Sequence, residues 1–252
     1  MGYDLYLLDL PEHLQPQMQK HRRLWDRYVA LRDRPSEDPE QRAAWEALEV
    51  CPDPGYFRLS ITGMGRMRAV MDLAGMLARE GTPLHRPDWR HLPDKTLDGK
   101  LFRPDGYQPG AILTPDQIAY VDELGRWCRY RPGGNVGIQA WKLRSNDYWI
   151  VTAEECAESL RTWESLPPER QQGHLGTVAT TDIVESDESL RSWRQTLEHA
   201  FETGGFDGQQ PEPGSVTVTL DRPADLSRLI ALWEAWLGFL RLAAEGDGFT
   251  VE

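Results

Sequence analysis

Apolar and polar residues alternate with period two from Tyr3 to Leu10, placing Tyr3, Leu5 and Leu7 on one side and Tyr6, Leu8 and Leu10 on the other. Apolar side chains on both sides predict a strand enclosed between neighbours, and Pro11 ends it. The period then changes. Met18, Leu24, Trp25, Tyr28 and Leu31 share one stripe of a helix over 16–31, and Ala43, Ala44, Ala47 and Leu48 give a short second helix. The hydrophilic break from Arg34 to Pro39 joins the two, so the pair reads as a charged excursion ahead of the next strand.

Turn chemistry at Cys51-Pro52-Asp53-Pro54-Gly55 leads into a strand over 56–62, with Phe57, Leu59 and Ile61 on one face. Gly63-Met64-Gly65 is predicted to turn that strand into a helix carrying Met67, Val70, Met71, Ala74 and Leu77. Pro83, Pro87, Pro93, Pro104 and Pro109 break the pattern across 81–110, which reads as a long inserted loop. Thr114, Pro115 and Gln117 then form a helix start: an N-cap hydroxyl, proline at the first helical position and the capping-box partner. Ile118, Val121, Leu124 and Cys128 are its expected buried face.

Residues 138–164 are the stretch around which the rest of the chain is organised. Trp141 and Trp149 flank the polar turn Ser145-Asn146-Asp147, Trp149-Ile150-Val151 is a short strand, and Thr152 with Glu155 repeats the capping-box spacing. A second polar insertion near 165–186, with Pro167-Pro168 and Gly173, reads as surface loop. Leu190, Trp193, Leu197, Ala200 and Phe201 predict a further helix, and residues 216–220 a strand. The longest helix carries Leu226, Leu229, Ile230, Trp233, Trp236, Leu237 and Leu240 in one stripe; Gly246 stops it before a terminal strand over 248–251. The expected architecture over 1–252 is one α+β domain, with amphipathic helices on a modest mixed or antiparallel sheet and long surface loops.

Composition changes this picture in three places. Ten Trp supply core volume that a hydrophobic content of 40% would otherwise leave modest. The three Cys are widely spaced and form no C-x-x-C, which favours buried free thiols in a reducing cytoplasm over a disulfide framework or a zinc knuckle. A net charge of −12 argues against direct nucleic-acid binding, which needs clustered basic surface. A basic partner is compatible with that charge. The first residues carry Asp4 and Asp9 and no basic start, unlike a signal peptide, and no stretch approaches a membrane span. A soluble, cytoplasmic protein without cofactor or metal is expected.

Two constellations are candidates for chemistry. Gly63, Gly65, Arg66 and Arg68 at a strand-to-helix turn offer backbone N–H groups and guanidinium donors to an anion, although the spacing is neither G-x-G-x-x-G nor a P-loop. The competing reading is a tight turn followed by solvated Arg. Trp141, Lys142, Arg144, Asn146, Asp147 and Trp149 form a candidate partner or ligand contact, with Trp89 in the long loop as a second anchor. Here the competing reading is a hairpin turn between core Trp. His85, Asp88 and His91 match no metal-ligand spacing, so no metal is assigned, and no nucleophile-elbow or zincin motif is present.

The segments YFRLSITGMG (56–65), SNDYWIVT (145–152) and the end from Trp233 to Phe249 resemble a family of uncharacterised bacterial conserved-hypothetical proteins. The resemblance implies no activity and no catalytic residue. It implies that 81–110 and 165–214 are embellishments of a common core. From the residues themselves, a protein-binding, adaptor or immunity/defence-associated module with another protein as partner is expected over an enzyme. The alternative is an enzyme or small-ligand protein using the Gly63–Arg68 anion site.

Overall fold

The computed structural model describes residues 2–35, 37–78, 114–133, 136–144, 149–180 and 225–251. They form an α+β fold. The sheet is antiparallel in the order β2-β1-β6-β5, from β1 (Gly2–Leu7), β2 (Tyr56–Ser60), β5 (Trp149–Val151) and β6 (Phe249–Val251). As the two-sided apolar pattern requires, β1 lies between two neighbours: Leu5 is opposite Phe57 on one side and Val251 on the other. A separate parallel pair joins β3 (Leu77–Ala78) to β4 (Ile138–Gln139).

Seven α-helices accompany the strands among the described residues: α1 (Gln15–Leu31), α2 (Pro39–Glu49), α3 (Ile61–Leu73), α4 (Pro115–Cys128), α5 (Ala153–Glu164), α6 (Pro168–Thr180) and α7 (Leu226–Glu245). Both expected capping boxes are present, with the Gln117 and Glu155 amides donating to the Thr114 and Thr152 hydroxyls at 3.3 Å each.

The main core packs α3, α5, α6 and α7 on the sheet through Leu5, Leu59, Met64, Met67, Leu160, Trp236 and Phe249. Trp233 and Trp236 of α7 are enclosed, as the helical stripe implies, whereas Leu226 at its first turn is exposed. A smaller cluster sets Tyr120, Leu124 and Trp127 of α4 against Trp149 and Ile150 of β5. Ile118, expected on the buried face of α4, is exposed; Gln117, Tyr120 and Trp127 turn inward with Leu124 and Cys128 instead.

Two expectations are corrected. Residues 168–180, within the expected surface loop, are helix α6, because Leu175, Val178 and Ala179 bury one face in the core. That burial outweighs the unfavourable propensity of Gly173 and Gly176. Strand β2 ends at Ser60, and α3 begins at Ile61, so Gly63 and Gly65 lie inside a helix rather than in a turn. The Ser60 hydroxyl caps it by accepting the Gly63 N–H at 2.9 Å. The expected helix over 190–201 and strand over 216–220, and the loop over 81–110, lie outside the described residues.

The α7-to-β6 connection makes an exacting demand on one residue. Gly248 has φ +96°, and a Cβ there would lie 2.0 Å from the Val151 carbonyl oxygen. Its N–H donates to Ala243 and its carbonyl accepts from Leu8, both at 3.0 Å, so the backbone cannot swing away without losing both bonds. Gly248→Ala is expected to cost at least ~1–3 kcal/mol in strain alone. An unshifted urea midpoint would contradict the geometry.

Candidate interaction surface

The organising stretch is a polar clamp. Lys142 sits on the 3-10 turn Ala140–Leu143 with its side chain fully enclosed. Its Nζ donates to the Ile150 carbonyl at 2.7 Å and to Glu155 Oε2 at 2.8 Å. The same oxygen accepts the Thr152 N–H at 2.9 Å, so one carboxylate completes the capping box and neutralises the lysine. Burial lowers the Lys142 pKa below its ordinary 10.5, against the raising effect of Glu155.

The same helix continues the clamp. Glu158 accepts from Arg131 and, at 2.8 Å, from the Gly137 N–H, while Arg131 also meets Glu154 at 3.1 Å. Ser159 accepts the Ile138 N–H at 3.1 Å and donates to the Met76 carbonyl at 2.8 Å. Through these side chains α5 holds β4 and β3 in register.

The two candidate constellations do meet, but through structural bonds. Arg68 Nη1 donates to the Leu143 carbonyl at 3.2 Å, and the Tyr3 hydroxyl to the Arg144 carbonyl at 3.1 Å. Gly63, Gly65 and Arg66 are buried within α3, where the Gly65 and Arg66 amides belong to the helix ladder. The strand-to-helix turn expected to expose the Gly65 and Arg66 amides is helix instead. Lys142 is withdrawn as a contact residue by its enclosure. Trp149 is buried against Trp127, with ring centroids 4.0 Å apart, and Trp141 is half-buried beside the same cluster. Of the described members of this group only Arg144 is exposed; Trp89, Asn146 and Asp147 lie outside the described residues.

Cys51, Cys128 and Cys156 are all buried, and none is in a disulfide. Burial pushes the Cys156 thiol well above the ordinary cysteine range, which disfavours the nucleophilic thiolate. Iodoacetamide at pH 8 is expected to leave all three unmodified in the folded protein and to label all three in denaturant. Rapid native labelling of Cys156 would place it at a reactive surface.

A different surface carries the exposed aromatics. The 17-residue helix α1, whose apolar positions fall on one stripe of a charged excursion, has no buried residue. It pairs with α2, which buries only Ala44 and Leu48. Asp38 caps α2 by accepting the Glu40 and Gln41 N–H groups, and Arg34 crosses to Glu40 at 2.7 Å, fixing the connection. Gln41 donates to the Arg32 carbonyl at 3.0 Å. His21 Nδ1 lies 2.9 Å from the Cys51 carbonyl, which requires that nitrogen to carry the proton.

On this hairpin Trp25 is 49% exposed and Trp45 is 47% exposed, whereas every other described Trp is buried or, at Trp141, half-buried. Tyr28 joins the two, with ring centroids 6.0 Å from Trp25 and 5.4 Å from Trp45. Trp45 Nε1 donates to Glu49 at 2.8 Å, which holds the indole in place. The result is a pre-positioned aromatic ledge across two helices.

Compared with protein-family models, curated proteins and solved structures, the chain matches none. Among the described residues no helix is long and apolar enough to cross a membrane.

Proposed function

We propose that the protein is a binding module that engages another protein through the Trp25–Tyr28–Trp45 face of the α1–α2 hairpin. The carrying observation is a pair of half-exposed Trp, one on each helix of the hairpin and linked by Tyr28, where α1 buries no residue of its own. Scattered single apolar residues on a surface are ordinary. Adjoining Trp and Tyr in one orientation are what interface anchors use, because rigid rings lose little entropy on contact. The enclosed ion pair of Lys142 with Glu155 is spent on holding the fold. Adaptor and immunity-type roles are both forms of this reading, and three free thiols fit a cytoplasmic setting.

Trp25→Ala with Trp45→Ala is the test. Both side chains already face water on about half their surface, so the double change is expected to cost less than ~1.5 kcal/mol. The melting curve should therefore move only slightly. Quantitative capture from native lysate should lose the partners that wild type retains. Unfolding of the double variant, or an unchanged partner set, would refute the assignment of this face.

A further inference from the structure

We infer that the partner is a second copy of this chain, set face to face across a two-fold axis so that two α1–α2 hairpins form a four-helix bundle. The inference rests on the protein-binding reading above and names the partner. Between residues 15 and 50 the hairpin carries seven Lys or Arg and seven Asp or Glu, so the net charge of −12 lies wholly outside it. A balanced hairpin selects neither an acidic nor a basic partner by its overall sign. It is the part of an acidic molecule that an identical molecule can approach without net repulsion.

The order of the charges along the hairpin is self-complementary. Three contacts fix which residues of its antiparallel helices stand level. His21 Nδ1 lies 2.9 Å from the Cys51 carbonyl, the Tyr28 and Trp45 ring centroids are 5.4 Å apart, and the Gln41 side chain donates to the Arg32 carbonyl at 3.0 Å. Val29 therefore stands level with Ala44. A two-fold contact pairs residue i with j and j with i. With the dyad crossing both helices at the Val29–Ala44 level, each helix runs antiparallel to its own copy. Asp26 then stands opposite the second copy's Arg32, and Arg42 opposite the second copy's Glu46, each pairing occurring twice. No charged residue of α1 or α2 is level with one of like sign in this arrangement.

The four groups are available for this pairing. Asp26, Arg32, Arg42 and Glu46 are all exposed. Among the described residues Asp26, Arg42 and Glu46 form no ion pair, and Arg32 meets only Asp33 at 3.7 Å, with both side chains largely in water. Charge sets orientation and specificity more than affinity. The rings of Trp25, Tyr28 and Trp45 supply the apolar area, and the alternating charges supply the register. In the resulting bundle α1 gains the buried face that it lacks in one copy.

Sedimentation velocity on the full chain over a concentration series tests this. Wild type should pass from monomer to dimer as concentration rises. Arg32→Glu/Arg42→Glu and Asp26→Arg/Glu46→Arg should each dimerise at least about tenfold more weakly. An equimolar mixture of the two variants should recover the dimer, because acidic positions then meet basic ones at every pairing. All four positions are exposed, so both melting curves should stay close to that of wild type. Wild type that stays monomeric throughout, variants that dimerise as well as wild type, or a mixture that does not recover the dimer would overturn the self-pairing. The protein-binding reading has its own readout in that event. Loss of lysate partners by Trp25→Ala/Trp45→Ala would keep the face as a contact for a different protein, and an unchanged partner set would remove the face itself.

Discussion

Lys142→Met alone is expected to destabilise the protein by ~3–5 kcal/mol, because it leaves the enclosed Glu155 carboxylate without its counter-charge. Glu155→Gln alone should also be strongly destabilising, by stranding the ammonium in the same apolar site. The double variant Lys142→Met/Glu155→Gln should recover much of the loss. Gln at 155 can still accept the Thr152 N–H as a capping-box residue, and Met fills a similar volume to Lys without a charge. The pair is therefore expected to show a large coupling in a double-mutant cycle read by urea denaturation. Single variants that melt like wild type would mean that Lys142 is solvated and free for chemistry.

The second large effect is expected at Trp236. Its indole is enclosed on α7 between β2 and β6, with the rings of Phe57 and Phe249 both 5.9 Å away. Phe239, one turn on, stacks 6.0 Å from it and closes the same aromatic cluster. Trp236→Ala opens a cavity where helix and sheet meet and should cost ~3–5 kcal/mol, out of total stabilities of ~5–15 kcal/mol. For a chain of this size that corresponds to a melting temperature lower by roughly 10 °C or more, or to insoluble protein. Trp25→Ala and Trp236→Ala together separate the two uses of Trp in this chain: the first should spare the fold and the second should not.

Elements specified by local chemistry were legible before the structure. The Thr114 and Thr152 capping boxes, the two-sided strand at Tyr3–Leu7 and the Trp233–Trp236 stripe each follow from side chains a few residues apart. Features decided by distant contacts were not. Gly63 and Gly65 resemble turn residues in sequence, yet Met64, Met67 and Met71 bury that segment as helix. Helix α6 is hidden behind Pro167-Pro168 and two Gly, and only the core that Leu175 and Val178 enter reveals it.

The enclosure of Lys142 was not legible for a related reason. A lysine beside a polar turn looks solvated, and nothing near Lys142 announces Glu155, thirteen residues on, as its partner. Conversely, Trp25 and Tyr28 fall on an apolar stripe, and periodicity alone does not say whether a stripe meets a core or water. The signal that was available is the repeated Arg-x-x-Trp, at Arg22-Arg23-Leu24-Trp25 and Arg42-Ala43-Ala44-Trp45. A guanidinium one turn from each Trp is unusual company for a core residue, since Arg is seldom buried unless paired.

The most direct test of where this protein makes contact is site-specific photo-crosslinking in living cells, with p-benzoylphenylalanine placed either at Val29 or at Arg144. Val29 is one turn beyond Trp25 on the α1 stripe, and Arg144 is an exposed residue of the other candidate surface. A discrete adduct from position 29, lost when Trp25 and Trp45 are Ala, with none from position 144, is the expected result. An adduct from position 144 and none from position 29 would contradict it.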